Sequence, residues 1–257
     1  LPRLPLRRPE LRPSPAGREA PAGTVWLFTG CVMDAWQRDV HVAAAALVEA
    51  AGANVVLPGR GAACCGALHT HAGLAPEARD LAARVMAAMP GDDPIVVDSA
   101  GCGAALKDYG HLLGTDEAVA FAARVRDVHE WLAGHVDDLP TPSGERPSVA
   151  VQDPCHLRHV QGVHDSVRTV LAPYCDVVEL DDAGLCCGAG GVYSVLRPEL
   201  ATPIRDRKAA AIGRAGAPVV ASANPGCAMW LGSTGLDVRH PVEIVAEAAG
   251  LVAPSGR

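Results

Sequence analysis

The sequence predicts an α/β fold made of two pseudo-symmetric repeats, each with a small parallel sheet and crossover helices. Three observations support this prediction. Short β-branched runs alternate with helix-like stretches, which is typical of parallel strands joined by crossover helices. One arrangement of cysteines occurs twice along the 257 residues. The stretch "DDLPTPSGERP" (137–147) has the composition of a linker. We therefore expect a first domain over 24–140 and a second over 148–252.

Each predicted domain contains three strand-like runs separated by helix-like stretches. The strands of the first domain are expected at "TVWLF" (24–28), "ANVVLPG" (53–59) and "PIVVDSAGC" (94–102). A helix with apolar residues at helical spacing follows the first strand, and Pro76 begins another helix before the third. The second domain repeats this plan, with strands at 148–153, 176–180 and 218–227 and helices from about 162 and across 197–214.

The beginning of the chain and its charge exclude several classes of protein. Residues 1–23 are rich in Pro and Arg and have no apolar region of a secretory signal, so we expect an extended, solvated linker. Since the chain begins without Met, we expect a further segment upstream. The net charge of -7 argues against a nucleic-acid partner. No apolar run approaches the roughly 18 residues of a membrane-spanning helix. We expect a cytoplasmic protein, with at most peripheral association with the inner face of the plasma membrane.

The nine cysteines carry the strongest functional signal. Eight of them form the same pattern twice, and each member of the second set follows its counterpart by 122 to 125 residues. The ninth, Cys175, lies outside the pattern and is expected to be buried as an ordinary apolar residue. Without an export signal, metal binding or redox chemistry is expected rather than a disulfide framework. The eight predicted metal ligands are Cys31, Cys64, Cys65, Cys102, Cys155, Cys186, Cys187 and Cys227.

The repeated cysteines follow the predicted strands, so each set is expected at the carboxyl edge of its sheet, where ligands of parallel sheets collect. Cys102 and Cys227 each stand where a helix is expected to begin, and a helix N-terminus stabilises thiolates and anionic clusters. Gly66 and Gly188 follow the adjacent cysteine pairs. Because glycine has no side chain, the backbone there is expected to approach the sulfurs and donate N–H groups to them.

Four thiols per domain favour an iron–sulfur cluster over zinc. Structural zinc sites usually have two short Cys-x(2–4)-Cys hooks, and this sequence has none. Adjacent cysteines point their side chains apart, which suits the neighbouring metal atoms of a polynuclear cluster. Zinc, and reduced or catalytic cysteines, stay open as alternatives from the residues alone. The nearby histidines are expected to surround the site or to begin helices rather than to bind metal; they are His69, His71, His156 and His159. Arg205, Arg207 and Lys208 are expected to form a solvated helix face.

Several stretches resemble known cysteine-rich proteins. The two repeats resemble the CCG cysteine-rich domain, which occurs twice in heterodisulfide reductase subunits and related respiratory proteins. More narrowly, the family of glycolate oxidase iron–sulfur subunits is similar to this sequence in its motifs. The resemblance covers nearly all of residues 24–250 and is carried by "CCGALHTHAG", "SAGCGAALKDYGHLL", "DPCHLRHVQG", "CCGAGGVYSVLRPELA" and "ANPGC".

The resemblance implies an iron–sulfur electron-transfer subunit of a glycolate, or other 2-hydroxy-acid, dehydrogenase complex. It implies 4Fe–4S clusters, a flavin-containing partner subunit that acts on the substrate, and a quinone or other acceptor. Full-length members carry an upstream ferredoxin-type domain, and no cysteine run of that kind occurs in this sequence. The best-understood CCG domains end in Cys-x-x-Cys, whereas this chain has Ala105 and Trp230 at the last position.

Two other functions stay open. The fold would be the same in an enzyme that performs disulfide chemistry directly, as relatives of heterodisulfide reductase do, although the missing fifth cysteine argues against this. A zinc-stabilised module for subunit assembly would use the same thiols without any redox role.

Overall fold

Two four-stranded parallel sheets form the framework of the computed structural model, which describes residues 5, 8–142 and 144–254. The strand order is β2-β1-β3-β4 in the first half and β6-β5-β7-β8 in the second, so the two sheets have the same topology. This confirms the predicted α/β fold of two similar repeats. None of the helices among the described residues is long and apolar enough to cross a membrane.

The first half supplies four strands and eight α-helices within the described part of the chain. A short 3-10 helix (Arg60–Ala62) precedes the adjacent cysteine pair. In chain order the elements are β1 (Thr24–Phe28), α1 (Val32–Trp36), α2 (Arg38–Ala50), β2 (Asn54–Val56), α3 (Ala67–His71), α4 (Ala75–Ala88), β3 (Ile95–Val97), α5 (Ala100–Lys107), α6 (Tyr109–Leu113), α7 (Asp116–Arg124), β4 (Val125–Asp127) and α8 (Val128–Ala133).

The second half follows the same plan with fewer helices among its described residues. A 3-10 turn (Val136–Asp138) leads into it, and a π-helix (His156–Gln161) follows its first strand. In chain order the other elements are β5 (Ser148–Gln152), α9 (Asp165–Leu171), β6 (Asp176–Glu179), α10 (Tyr193–Leu196), α11 (Pro198–Ala215), β7 (Val219–Ser222), α12 (Pro225–Gly232), β8 (Val238–Arg239) and α13 (Pro241–Ala248).

One apolar core is shared by both halves. Strand residues alternate between two faces: Val25 and Leu27 of β1 point into the shared core, whereas Phe28 belongs to a separate cluster on the other face of the sheet. The helices of the shared core come from both halves, and each fully buried Leu or Val there contributes about 1.5–3 kcal/mol. The main ones are α2, α8, α9 and α13, with the fully buried residues Leu47, Leu132, Leu171 and Val245.

The strands differ from the prediction in number and length. The sequence predicts three per half, and the structure adds β4 and β8 at one edge of each sheet. Both are so short, three and two residues, that they give no alternating pattern. The run predicted as a strand over 94–102 is a strand only over Ile95–Val97, because Ser99 already begins α5. Likewise, the helix predicted from about 162 is preceded by the π-helix and begins at Asp165.

The segment before β1 has neither helix nor strand over residues 8–23, and residues 1–4, 6 and 7 of the predicted linker lie outside the described part. It is not solvated along its whole described length. The Ser14 backbone N–H donates to the carbonyl of Val55 at 2.9 Å, and the Arg18 guanidinium donates to the carbonyl of Ala53 at 2.8 Å. The segment therefore runs back along the outer edge of the first sheet.

The glycine after each adjacent cysteine pair has a left-handed backbone and touches a helix. Gly66 has φ 79° and Gly188 has φ 84°. A Cβ atom at Gly66 would lie 3.2 Å from the carbonyl oxygen of Ala78, and one at Gly188 would lie 2.8 Å from that of Ala201. Both the conformation and the close approach therefore exclude a larger side chain.

We predict that Gly188→Ala lowers the free energy of unfolding by about 2–5 kcal/mol, because a left-handed alanine costs about 1–2 kcal/mol and overpacking against α11 about 1–3 kcal/mol. Chemical denaturation of the full chain measures the loss. Gly73→Ala is the matched control, since Gly73 has φ 76° but open space around its Cβ position. That variant is expected to lose about 1–2 kcal/mol. Equal losses in the two variants would contradict the packing argument.

Candidate metal centre

All eight repeated cysteines lie at the carboxyl edges of the two sheets, in three loops per half. One cysteine follows the first strand of its sheet, Cys31 after β1 and Cys155 after β5. The adjacent pairs lie in the loops that follow β2 and β6. Cys102 and Cys227 are the third residues of α5 and α12. The parallel topology thus brings cysteines that are far apart in sequence to the same edge.

The first group consists of Cys31, Cys64, Cys65 and Cys102. The Sγ atoms of Cys31 and Cys64 are 3.9 Å apart, and those of Cys65 and Cys102 are 3.3 Å apart. A hydrogen bond between Cys64 and Cys65 connects the two pairs. Hydrogen bonds from Cys31 and Cys65, helped by the N–H of Gly66, hold the pKa of Cys64 far below its usual range. Within the pair that it forms with Cys31, the negative charge therefore favours Cys64.

The second group, Cys155, Cys186, Cys187 and Cys227, is arranged in the same way. The Sγ atoms of Cys187 and Cys227 are 3.0 Å apart, and Cys186 is hydrogen-bonded to both Cys155 and Cys187. These bonds hold the pKa of Cys186 far below its usual range. The backbone nitrogen of Gly188 lies 3.3 Å from the Cys186 sulfur and donates to it. Each half thus gathers its four thiols into one connected group.

None of the cysteines forms a disulfide, and each group has buried thiols on one side and exposed thiols on the other. All nine are free thiols, with Cys65, Cys187 and Cys227 buried and Cys31 and Cys186 exposed. A cluster of sulfurs that is buried on one side and reachable on the other suits a bound inorganic group that exchanges electrons with a partner. Outside the pattern, Cys175 is buried in the shared core, which confirms the prediction for it.

A polar residue three positions before Cys102 and Cys227 begins each cysteine-bearing helix. In α5 this residue is Ser99, and in α12 it is Asn224. The pKa of the Cys102 thiol is lowered first by Cys65 and further by Ser99. The Asn224 Nδ2 atom donates to the Cys227 sulfur at 3.5 Å. These contacts, together with the positive end of each helix, stabilise negative charge on sulfur.

The Asn224 side chain also joins the two halves. Its Oδ1 atom accepts a hydrogen bond from the N–H of Gly101, in the first turn of α5, at 3.1 Å, while its Nδ2 atom bonds Cys227. Beside it, the N–H of Ala100 donates to the carbonyl of Ala223 at 3.0 Å. The cysteine-bearing edges of the two sheets therefore meet across a hydrogen-bonded seam. Sequence reasoning did not single out Asn224, although it aligns with the helix-starting serine of the first repeat.

Two histidines stack across the same seam. The ring centroids of His71 and His156 are 5.9 Å apart, with an angle of 22° between the ring planes. Burial lowers the pKa of His156, and the neighbouring His71 lowers it further. Both rings line a cavity of about 300 Å³ that reaches Cys65. On its wall the Tyr109 hydroxyl donates to the Cys65 carbonyl at 2.9 Å. These side chains shape the approach to the first group.

Lys208 does not lie on a solvated helix face as the sequence analysis predicts. Its side chain is only 1% exposed and its Nζ atom is 2.6 Å from a carboxylate oxygen of Asp182, whereas the neighbouring Arg207 is exposed. The prediction was wrong for Lys208 because it followed the charge of the residues. The helical spacing of Lys208 from the packed residues Ala201 and Ile204 would have placed it on the buried face.

The donor set of each half fits a polynuclear iron–sulfur cluster. Four thiols from three loops, two of them adjacent, together with backbone N–H donors to sulfur, are the donors that hold such clusters. Among the described residues, no group of three or more His, Cys, Asp or Glu side chains is arranged to hold one metal ion, because the sulfurs contact one another in pairs. The fit to a cluster is therefore one of donor chemistry rather than of a preformed coordination geometry.

Comparison with known proteins finds relatives that match most of the chain. A "Probable glycolate oxidase iron-sulfur subunit" of Bacillus subtilis (strain 168) is 33% identical over 247 residues, which cover 88% of this chain and 55% of that protein. The "Glycolate oxidase iron-sulfur subunit" of Escherichia coli (strain K12) is 30% identical over 259 residues, 96% of this chain and 62% of that protein. This chain thus spans somewhat more than half of the length of these two relatives.

A third relative has another activity in its name. It is a subunit of the fumarate reductase (CoM/CoB) of Methanothermobacter marburgensis, and it is 33% identical over 214 residues, which cover 82% of this chain and 42% of that protein. The names of these three relatives therefore share the class of oxidoreductase subunits, but they do not share one substrate.

The family-level comparison agrees with the internal repeat. The cysteine-rich domain family named CCG matches residues 25–107 and 149–232, and the two matched stretches contain one cysteine group each. The chain therefore belongs to the cysteine-rich CCG domain family and carries two copies of its domain.

Proposed function

We propose that each half holds one iron–sulfur cluster, of the 4Fe–4S type, through its four cysteines, and that the chain transfers electrons within an oxidoreductase complex. The observation that carries the proposal is the convergence of four free thiols in each half on one connected group. The proposed ligands are Cys31, Cys64, Cys65 and Cys102 in the first half and Cys155, Cys186, Cys187 and Cys227 in the second.

The residues of the chain would bind, orient and shield these clusters. A bound cluster supplies one-electron transfer at a potential set by its charge, its hydrogen bonds and its exposure. The backbone N–H groups of Gly66 and Gly188 donate to sulfur, and Asn224 donates to Cys227 and links this residue to the helix of the first group. The buried Cys65 and Cys187 keep water away from one side of each group. The seam between the sheets provides a short, hydrogen-bonded path between the halves.

The complex in this proposal is a 2-hydroxy-acid dehydrogenase of the glycolate type. A flavin-containing partner subunit removes two electrons and two protons from glycolate or lactate to give the 2-oxo acid. The electrons leave through this chain, and through an upstream ferredoxin-type domain, toward a quinone. The names of the two glycolate oxidase relatives support this assignment. The chain itself would not bind the 2-hydroxy acid, and it would work in the cytoplasm or against the inner face of the plasma membrane through its partners.

We predict that the full chain, purified without oxygen, contains iron and acid-labile sulfide in equal amounts, roughly four of each per half. Cys64→Ser and Cys186→Ser are each expected to lose about half of both, since each removes one of the four proposed ligands of one group. Iron and sulfide assays together with EPR spectra of the reduced protein measure this. Cys175→Ala is the matched control, because it removes a buried thiol outside both groups, and it is expected to keep the full content.

The alternatives give different results in the same assays. A colourless chain with stoichiometric zinc and no sulfide would favour the assembly module and reject the electron-transfer role. Loss of iron in Cys175→Ala to the same extent as in Cys64→Ser would show that iron binding does not depend on the repeated pattern.

We predict that Cys187→Ser in the assembled complex lowers glycolate-driven reduction of a quinone analogue by more than about tenfold, because one cluster site loses a buried ligand. Reduction of an artificial dye directly by the flavin subunit is expected to stay unchanged, which shows that the substrate site is intact. If dye reduction falls equally, the chain takes part in substrate oxidation. If the complex with lactate as donor is faster than with glycolate, the substrate assignment changes while the electron-transfer role stands.

A further inference from the structure

A buried lysine stands beside the second cysteine group. The Lys208 side chain is 1% exposed, and it pairs with Asp182, which lies in the turn before Cys186 and is itself buried. Lysine is rarely buried to this extent, and a buried ion pair often adds no more stability than an apolar pair of the same volume. The main consequence of Lys208 is therefore its electrostatic effect on the groups around it.

The ammonium group faces the cysteine loop. Helix α11 contacts Gly188 through Ala201 and Ile204, and Lys208 follows Ile204 by four residues, on the same face of the helix. Its charge acts on three of the four sulfurs. After the larger effects of the hydrogen bonds among the thiols, it helps to lower the pKa of Cys186 and Cys227 and opposes the raised pKa of Cys155.

The first half has no such charge at the equivalent position. Helix α4 contacts its cysteine-loop glycine through Ala78, and α11 does so through Ala201. The same separation of 123 residues relates Ala78 to Ala201 and Val85 to Lys208. Val85 is fully buried in the apolar cluster of the first half. The second half therefore has a buried ion pair, Lys208 with Asp182, where the first half has an apolar side chain, and the ammonium of this pair is the charge that acts on the sulfurs.

A second buried charge differs between the halves, and its sign is opposite. Asp98, four residues before Cys102, is 1% exposed and hydrogen-bonded to the buried His41. Its carboxylate acts to raise the pKa of Cys102, against the larger lowering effect of the other hydrogen bonds. The residue four positions before Cys227 is Ala223, which carries no charge. The first group thus has a carboxylate before its helix-borne cysteine where the second has none, and the buried carboxylates of the second half, Asp153 and Asp182, are each paired with an arginine or a lysine.

We propose that Lys208 makes the second half the stronger electron acceptor of the two, so that electrons move from the first half to the second. This inference rests on the proposed function, in which both halves hold clusters. Reduction adds negative charge to a cluster, so a nearby positive charge raises its reduction potential, and a nearby negative charge lowers it. Transfer moves one electron across the seam, and no bond forms or breaks.

The test is an anaerobic redox titration of the full, cluster-containing chain followed by EPR. Loss of a signal in Cys64→Ser or Cys186→Ser assigns each signal to its half. In the unaltered chain the signal of the second half is expected at the higher potential. Lys208→Met is expected to lower that potential by at least about 59 mV, a tenfold change in the equilibrium constant of a one-electron couple. The signal of the first half is expected to keep its potential.

Further variants make the result specific. Arg207→Met removes an exposed positive charge from the same helix and is expected to change the equilibrium constant by less than about twofold, because solvent screens it. Asp182→Asn leaves the Lys208 ammonium without its counter-charge and is expected to raise the potential of the second half. Lys208→Gln, which removes the charge and keeps a hydrogen-bond donor toward Asp182, decides the question if Lys208→Met does not fold.

The outcomes separate the inference from the proposed function. A chain without cluster signals in one or both halves would reject the function on which the inference rests. Two cluster signals whose potentials stay the same in Lys208→Met and Asp182→Asn would overturn the role of Lys208 and leave the function in place. A higher potential in the first half of the unaltered chain would reverse the proposed direction of transfer.

Discussion

Parallel pairing of short strands is the constraint on which the cysteine site depends. Because β1 pairs with both β2 and β3 in the parallel sense, all three strands end at the same edge, and so do the loops that follow them. Gaps of 33 and 37 residues between cysteines in the first half are thereby reduced to contact distances between sulfurs. The second half obtains the same result from β5, β6 and β7. The meeting of the two edges then brings the two groups close together.

Hydrogen-bond donors and helix N-termini at this edge stabilise negative charge on sulfur. Each group contains a thiol that accepts hydrogen bonds from its neighbours and from a glycine N–H, and another at the start of a helix. The left-handed glycine of each loop has two roles. It allows α4 or α11 to approach the loop closely, and its backbone N–H points at a sulfur. The packing of the helix and the stabilisation of the thiolate therefore depend on the same backbone conformation. For this reason the short cysteine–cysteine–glycine sequence predicts both features.

The features that the sequence predicts well are those that repeat. Two copies of the cysteine pattern, strand-like runs before each loop and glycine after each pair are sufficient to place all eight thiols at the sheet edges. The short strands β4 and β8 escape prediction because two or three residues carry no periodicity. Asn224 escapes because its hydrogen bond with the N–H of Gly101 crosses the seam, and no pattern within one repeat records a contact with the other. The prediction for Lys208 was wrong because charged residues are usually exposed, and this one lies on the buried face of its helix.

The differences between the repeats matter as much as their similarity. A symmetric pair of sites would have no preferred direction of transfer, whereas the proposed effects of Lys208 on the second group and of Asp98 on the first would give the chain a polarity. Such charges lie behind the cysteine loops and change neither the ligands nor the backbone that presents them.

The core formed jointly by α2, α8, α9 and α13 has a consequence for how such a chain arose. A protein with a single copy of the domain would leave its half of this apolar face in contact with water. Its simplest remedy is to associate with an identical molecule through a twofold axis, since a self-complementary face buries itself in that way. Gene duplication and fusion would then turn a homodimer into one polypeptide, and only after duplication could the two copies acquire different buried charges.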